Sequence, residues 1–136
     1  MTRILLSLLV VCSFATAQTK PDVLFIAVDD LNDWVTYLGG HPQTKTPNID
    51  RLVARGTAFT NSHCAAPACN PSRAALMSGL RPWQTGIYTN GDPAQGVLKN
   101  VITINRHFLA NGYQTLGGGK IYHNYTAEGR TDGWTE

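Results

Sequence analysis

Residues 22–30 read DVLFIAVDD. Val23 to Val28 form a short, nearly continuous apolar run with β-branched members, closed by two carboxylates. That pattern predicts a buried strand of a parallel sheet, with Asp29 and Asp30 at its carboxyl end. Working outward, TPNIDRLVARG (46–56) predicts a helix, with Thr46 as N-cap, Pro47 in the first turn and Gly56 as the stop. TAFTNSH (57–63) reads as a second strand. PSRAALMSG (71–79) reads as a helix, with Asn70 as its cap and Pro71 at the first helical position. TINRHFLANG (103–112) predicts a further helix capped by Thr103 and closed by Gly112, and YQTLGGGK (113–120) a strand entering a glycine-rich turn. Strands alternating with helices predict an α/β fold, in which ligands bind beyond the carboxyl ends of the strands. Three polar clusters fall there: Asp29 with Asp30, the segment around Cys69, and Lys120 with His123.

The ends and the composition set the class. Arg3, the apolar run ILLSLLVVCSFA and the small residues Ala15 and Ala17 outline a secretory signal over 1–17. Export then places 18–136 outside the cytoplasm, secreted or periplasmic. A lipoprotein reading through Cys12 is disfavoured by the bulk of Val11 before it. No later apolar run is long enough to span a membrane. With 43% hydrophobic and 15% charged residues and a net charge of +2, the chain suits a packed globular protein and lacks the basic stripe of a nucleic-acid binder.

CAAPACNPSR (64–73) admits several chemistries. Cys64 and Cys69 remain once a signal is removed, and an exported chain can pair them, though over a short, tightly constrained loop. A phosphatase nucleophile at Cys64 needs arginine six positions on, where Asn70 stands. A zinc site from His63, Cys64 and Cys69 lacks a second spaced pair. A nucleophile at Cys69 finds a helix start, which favours anions, and Arg73 one turn further, whose fork of donors suits an oxyanion. Asp29 and Asp30 suit a hard divalent cation, though an isolated pair of acids after a strand more often solvates a loop or caps the next helix. In GGGKIYH (117–123), Lys120 can hold an anion and His123 can move protons, or both simply face water beyond a turn. It is not a phosphate-binding P-loop, because no Ser or Thr follows the lysine.

Cys69 to Arg73 resembles the C-x-P-S-R signature of type I sulfatases. PDVLFIAVDDL, TPNIDRLVARGTAFTNSHC, SRAALMSGLRP and GYQTLGGGKIYH fall in that family's order and separations. GKIYH, DDLNDW and GLRPWQTGIY resemble the iduronate-2-sulfatase-like branch. The resemblance implies an alkaline-phosphatase-like α/β sandwich with a mostly parallel central sheet, of which only the N-terminal part is present here. It implies that a formylglycine-generating enzyme converts Cys69 to Cα-formylglycine, whose hydrate attacks sulfur with one hydroxyl and expels sulfate with the other. Asp29, Asp30 and residue 69 become ligands of Ca²⁺, Arg73 supports the nucleophile, Lys120 binds sulfate oxygens, and His123 assists elimination. The implied substrate is a sulfated small molecule or glycan. Phosphonate or phosphodiester hydrolysis by the same site plan, or an inactive anion- or glycan-binding fragment stapled by Cys64 and Cys69, are the alternatives. Family members carry further metal ligands downstream, so the chain by itself is expected to have little activity: two carboxylates and a diol fall short of the six or more oxygens that Ca²⁺ takes.

Overall fold

The computed structural model describes residues 20–123 and 132–135. They fall into two compact units that divide between Thr57 and Ala58. The predicted signal over 1–17 lies outside the described residues, and among these no helix is long and apolar enough to cross a membrane.

The first unit holds one 3-10 turn, Thr36–Leu38, and helix α1, Pro47–Val53. Pro47 opens α1, as its fixed φ and missing N–H favour. Thr46 precedes it but does not cap it by side chain. Its hydroxyl is spent on Thr36 instead: each threonine Oγ1 accepts the other's backbone N–H, at 2.9 and 3.0 Å, and the two hydroxyls lie 2.9 Å apart. This exchange ties off the loop between them beside the buried Val35. Gly40 approaches so closely that a Cβ there would lie 2.3 Å from the Asp33 carbonyl oxygen. The C-cap of α1 is Ala54, two residues before the expected stop at Gly56.

The second unit is built on α2, Cys69–Ser78, which packs against α3 (Pro82–Thr85), α4 (Ala94–Leu98) and α5 (Ile104–Ala110). Ala74 of α2, Ile87, and Ala94 and Leu98 of α4 form the buried core, with Val97, Val101 and Tyr122 packed on it. Gly79 ends α2 in the left-handed region, φ 72°, where a side chain would be strained. A polar hub closes the unit. Arg106 Nη1 donates to the carbonyls of Leu98, Lys99 and Val101 at the end of α4, while Nε and Nη2 hold the Asp132 carboxylate. Asn105 donates to the Asp132 carbonyl at 2.9 Å, and Thr115 pairs with Thr135 by two 2.8 Å bonds.

No strand is present among the described residues, so the strands expected at 22–28, 57–63 and 113–116 are not shown here. Thr60 and Asn61 form a turn inside the second of these. A strand is defined by its ladder, and an apolar run pairs only where neighbouring strands offer backbone partners. Within 22–28, Leu24 and Ile26 stay 85% and 69% exposed, so among the described residues the run predicted as a sheet's interior is left largely uncovered. In 113–116, Thr115 alone exchanges bonds with Thr135, too few for a strand.

Candidate nucleophile helix and the residues around it

Helix α2 begins at Cys69 itself, with Ala68 as N-cap in extended conformation and no side-chain cap. This corrects the expectation that Asn70 caps the helix and Pro71 opens it. Asn70 and Pro71 are the second and third helical residues, both buried. Asn70 lies inside the helix and not at its cap position, and its Nδ2 donates to the carbonyls of Thr89 and Asp92, at 3.0 and 2.9 Å. Asn90 does the capping from outside the helix: its Oδ1 accepts the Asn70 N–H at 2.9 Å. The expected anion-friendly helix start is therefore narrowed. Of its first three residues, Asn70 has given its N–H to Asn90 and Pro71 has none to give.

Cys69 is half-buried, Cys64 is exposed, and both are free thiols, so no bridge joins the two. Arg73 lies one turn into α2, and its guanidinium donates to the backbone carbonyl of Lys120. The structure thereby ties two predicted site residues together, through the main chain of the second. Lys120 keeps its side chain exposed, and His123 is half-buried with a buried Nδ1 that finds no hydrogen-bond partner among the described residues. Between them Tyr122 packs on the core and donates to Asn105 Oδ1 at 3.2 Å. Burial pushes its phenol above the ordinary tyrosine value. The 120–123 segment is thus held at two points, by Arg73 and by Asn105.

Asp29 and Asp30 belong to the first unit, in a turn directly after the apolar run. Asp30 takes φ 54° and Asn32 φ 55°, a left-handed conformation that Asn and Asp tolerate better than other side chains. Asn32 Nδ2 donates to the Asp30 carbonyl at 3.0 Å and fixes the turn. The donors are hard oxygens, as Ca²⁺ or Mg²⁺ requires. Among the described residues, however, no group of three or more His, Cys, Asp or Glu converges. The carboxylate pair fits a hard cation by chemistry, and among the described residues its coordination shell is incomplete.

A groove of about 330 Å³ lies along α2, lined by His63, Cys64, Ser72, Leu76 and Arg81 among others. It includes none of Cys69, Arg73, Lys120 and His123. Sequence reasoning missed Asn90, Asn105 and Asp132. Each acts 20 or more residues from at least one of its partners, and the available signals, an NGD turn and a DG pair, announce turns without saying what docks on them.

The Sulfatase family profile matches the chain over residues 21–133. A protein described as "Sulfatase" from Formosa agariphila is 46% identical over 120 residues, covering 83% of this chain and 24% of its own length. A "Delta 4,5-hexuronate-2-O-sulfatase" from Bacteroides thetaiotaomicron is 38% identical over 110 residues, 79% of this chain and 23% of its own length. "Arylsulfatase A" from Bos taurus is 36% identical over 118 residues, 83% of this chain and 23% of its own length. No solved structure gives a significant match. The chain spans about a quarter of the length of these curated relatives. With the motifs in order and the profile running from before the apolar segment to Gly133, this chain belongs to the sulfatase family.

Proposed function

We propose that this chain carries the nucleophile-bearing part of a sulfuric ester hydrolase. The observation that carries the reading is the C-x-P-S-R signature at the very start of α2, with Arg73 one turn in and bound to the Lys120 segment. Conversion of Cys69 to formylglycine by a formylglycine-generating enzyme would supply a hydrated aldehyde as the nucleophile. Around it, Arg73 offers a charged fork of donors, Lys120 an exposed ammonium for sulfate oxygens, and His123 a half-buried imidazole for proton transfer. Asp29 and Asp30 would hold one divalent cation, Ca²⁺ by family resemblance, which screens charge when bound.

The reading extends to an exported enzyme on an alkaline-phosphatase-like scaffold, in which 22–28 takes its place as a sheet strand. The GKIYH ending favours the iduronate-2-sulfatase-like branch, and a relative named as a hexuronate 2-O-sulfatase supports a sulfated glycan as substrate. The test is mass spectrometry of the peptide spanning Cys69 in the full-length protein, together with turnover of an aryl sulfate and of a 2-O-sulfated uronate disaccharide. Formylglycine at 69, with turnover abolished by Cys69→Ala and by chelation, is expected. An unmodified thiol in fully active enzyme, or turnover of phosphodiesters in place of sulfate esters, overturns the reading.

A further inference from the structure

The position between Cys69 and Pro71 is filled by Asn70, whose residue is only 1% exposed. A buried amide must find its hydrogen bonds inside the protein. Asn70 finds them on one turn, donating to the carbonyls of Thr89 and Asp92. That turn is preformed. Asp92 Oδ2 accepts the N–H groups of Tyr88 and Thr89, both at 2.7 Å, and Thr89 Oγ1 accepts the N–H of Gly91 at 3.2 Å. From it Asn90 returns the contact by accepting the Asn70 N–H. Three hydrogen bonds therefore staple the second residue of α2 to a separate turn, immediately beside the candidate nucleophile.

We infer that Asn70 and Asn90 are positioning residues for the side chain at 69, an inference that rests on the proposed sulfatase reading for its catalytic consequence. The peptide joining residues 69 and 70 is planar, so holding the Asn70 N–H also holds the Cys69 carbonyl and with it ψ of residue 69. Ala68 contributes no side-chain cap, and an uncapped first turn frays. The staple replaces the missing cap and presents the group at 69 in one orientation. It also withdraws the Asn70 amide from anion binding. Charge on a bound sulfate is then met mainly by side chains, of which Arg73 lies one turn further along α2 and is hydrogen-bonded to the Lys120 main chain.

The experiment uses full-length protein made without the formylglycine-generating enzyme, so that residue 69 remains a thiol. Alkylation of Cys69 by iodoacetamide is read by mass spectrometry against Cys64 as internal reference. Asn70→Ala and Asn90→Leu are expected to raise the Cys69-to-Cys64 rate ratio roughly tenfold by opening the first turn. Asn90→Asp, which keeps an acceptor oxygen, stays within about twofold of wild type. In converted enzyme, Asn90→Leu lowers kcat roughly tenfold at unchanged KM, because it misplaces the reacting atom without touching substrate. Equal ratios for Asn90→Leu and Asn90→Asp overturn the inference. If Asn70→Ala fails to fold, the Asn90 pair, on an exposed turn, carries the test alone. A wild type that turns over no sulfate ester overturns the functional reading, and the alkylation ratio still decides the positioning.

Discussion

Replacing Arg106 by methionine removes a guanidinium while keeping most of its apolar stem, and its cost can be worked from the hub it serves. Nη1 donates to three carbonyls, at 2.9 Å to Leu98, 3.1 Å to Lys99 and 2.7 Å to Val101. One nitrogen carries two hydrogens, so this counts as about two full bonds from a charged donor, each contributing roughly 1.5–3 kcal/mol. The Lys99 bond is exposed and discounted. The ion pair with Asp132 is a weaker partner, since the two side chains are 23% and 46% exposed, and contributes well under about 1 kcal/mol after screening. The expected loss for Arg106→Met is about 3 kcal/mol, a fall of roughly 12–24 °C in melting temperature for a unit of this size. Asp132→Asn, by contrast, costs only about 0.5 kcal/mol. Thermal and urea unfolding of the two variants decide between capping and charge pairing. If Asp132→Asn destabilises as much as Arg106→Met, the end of α4 is not what Arg106 stabilises, and the argument fails.

Three further outcomes are expected. Gly133→Ala places a Cβ 2.6 Å from Asn105 Nδ2 at a backbone φ of 80°, so it should cost at least about 2 kcal/mol in urea unfolding; a neutral result would show that the turn relaxes freely. Thr46→Val deletes the hydroxyl that accepts the Thr36 N–H and leaves that one N–H short of its partner, for about 1 kcal/mol, read as faster hydrogen exchange at Thr36, while the Thr46 N–H keeps its bond to Thr36 Oγ1. Acid should loosen the hub. The Arg106 hydrogen bond holds the Asp132 carboxyl below the usual carboxylate range. Its contribution is therefore fully present above the unfolded value of about 3.9 and is lost as pH falls through the lower folded value. Asp132→Asn should flatten this acid limb of the stability curve, and an unchanged limb would exclude Asp132 as its source.

The sequence by itself determined what local chemistry determines. Pro47, Gly79 and Thr103 mark helix ends because φ restrictions and missing donors act within a few residues. The order of the motifs around Cys69 determined the family, since no folding information is needed to compare it. Partners decided the rest. Asn70 reads as a cap in isolation, yet it is a helical residue stapled to Thr89 and Asp92, because a buried amide bonds to whatever the chain folds against it. Thr46 and Thr103 stand at the cap positions while their hydroxyls serve Thr36 and Asn105. DVLFIAV carries the pattern of a strand but shows no ladder among the described residues, because periodicity specifies which faces seek burial and only neighbouring backbone supplies the pairing. Sequence therefore named Cys69 and Arg73 as a unit, while the tertiary structure alone showed that Arg73 grips the Lys120 main chain and that a turn 20 residues away holds the start of α2.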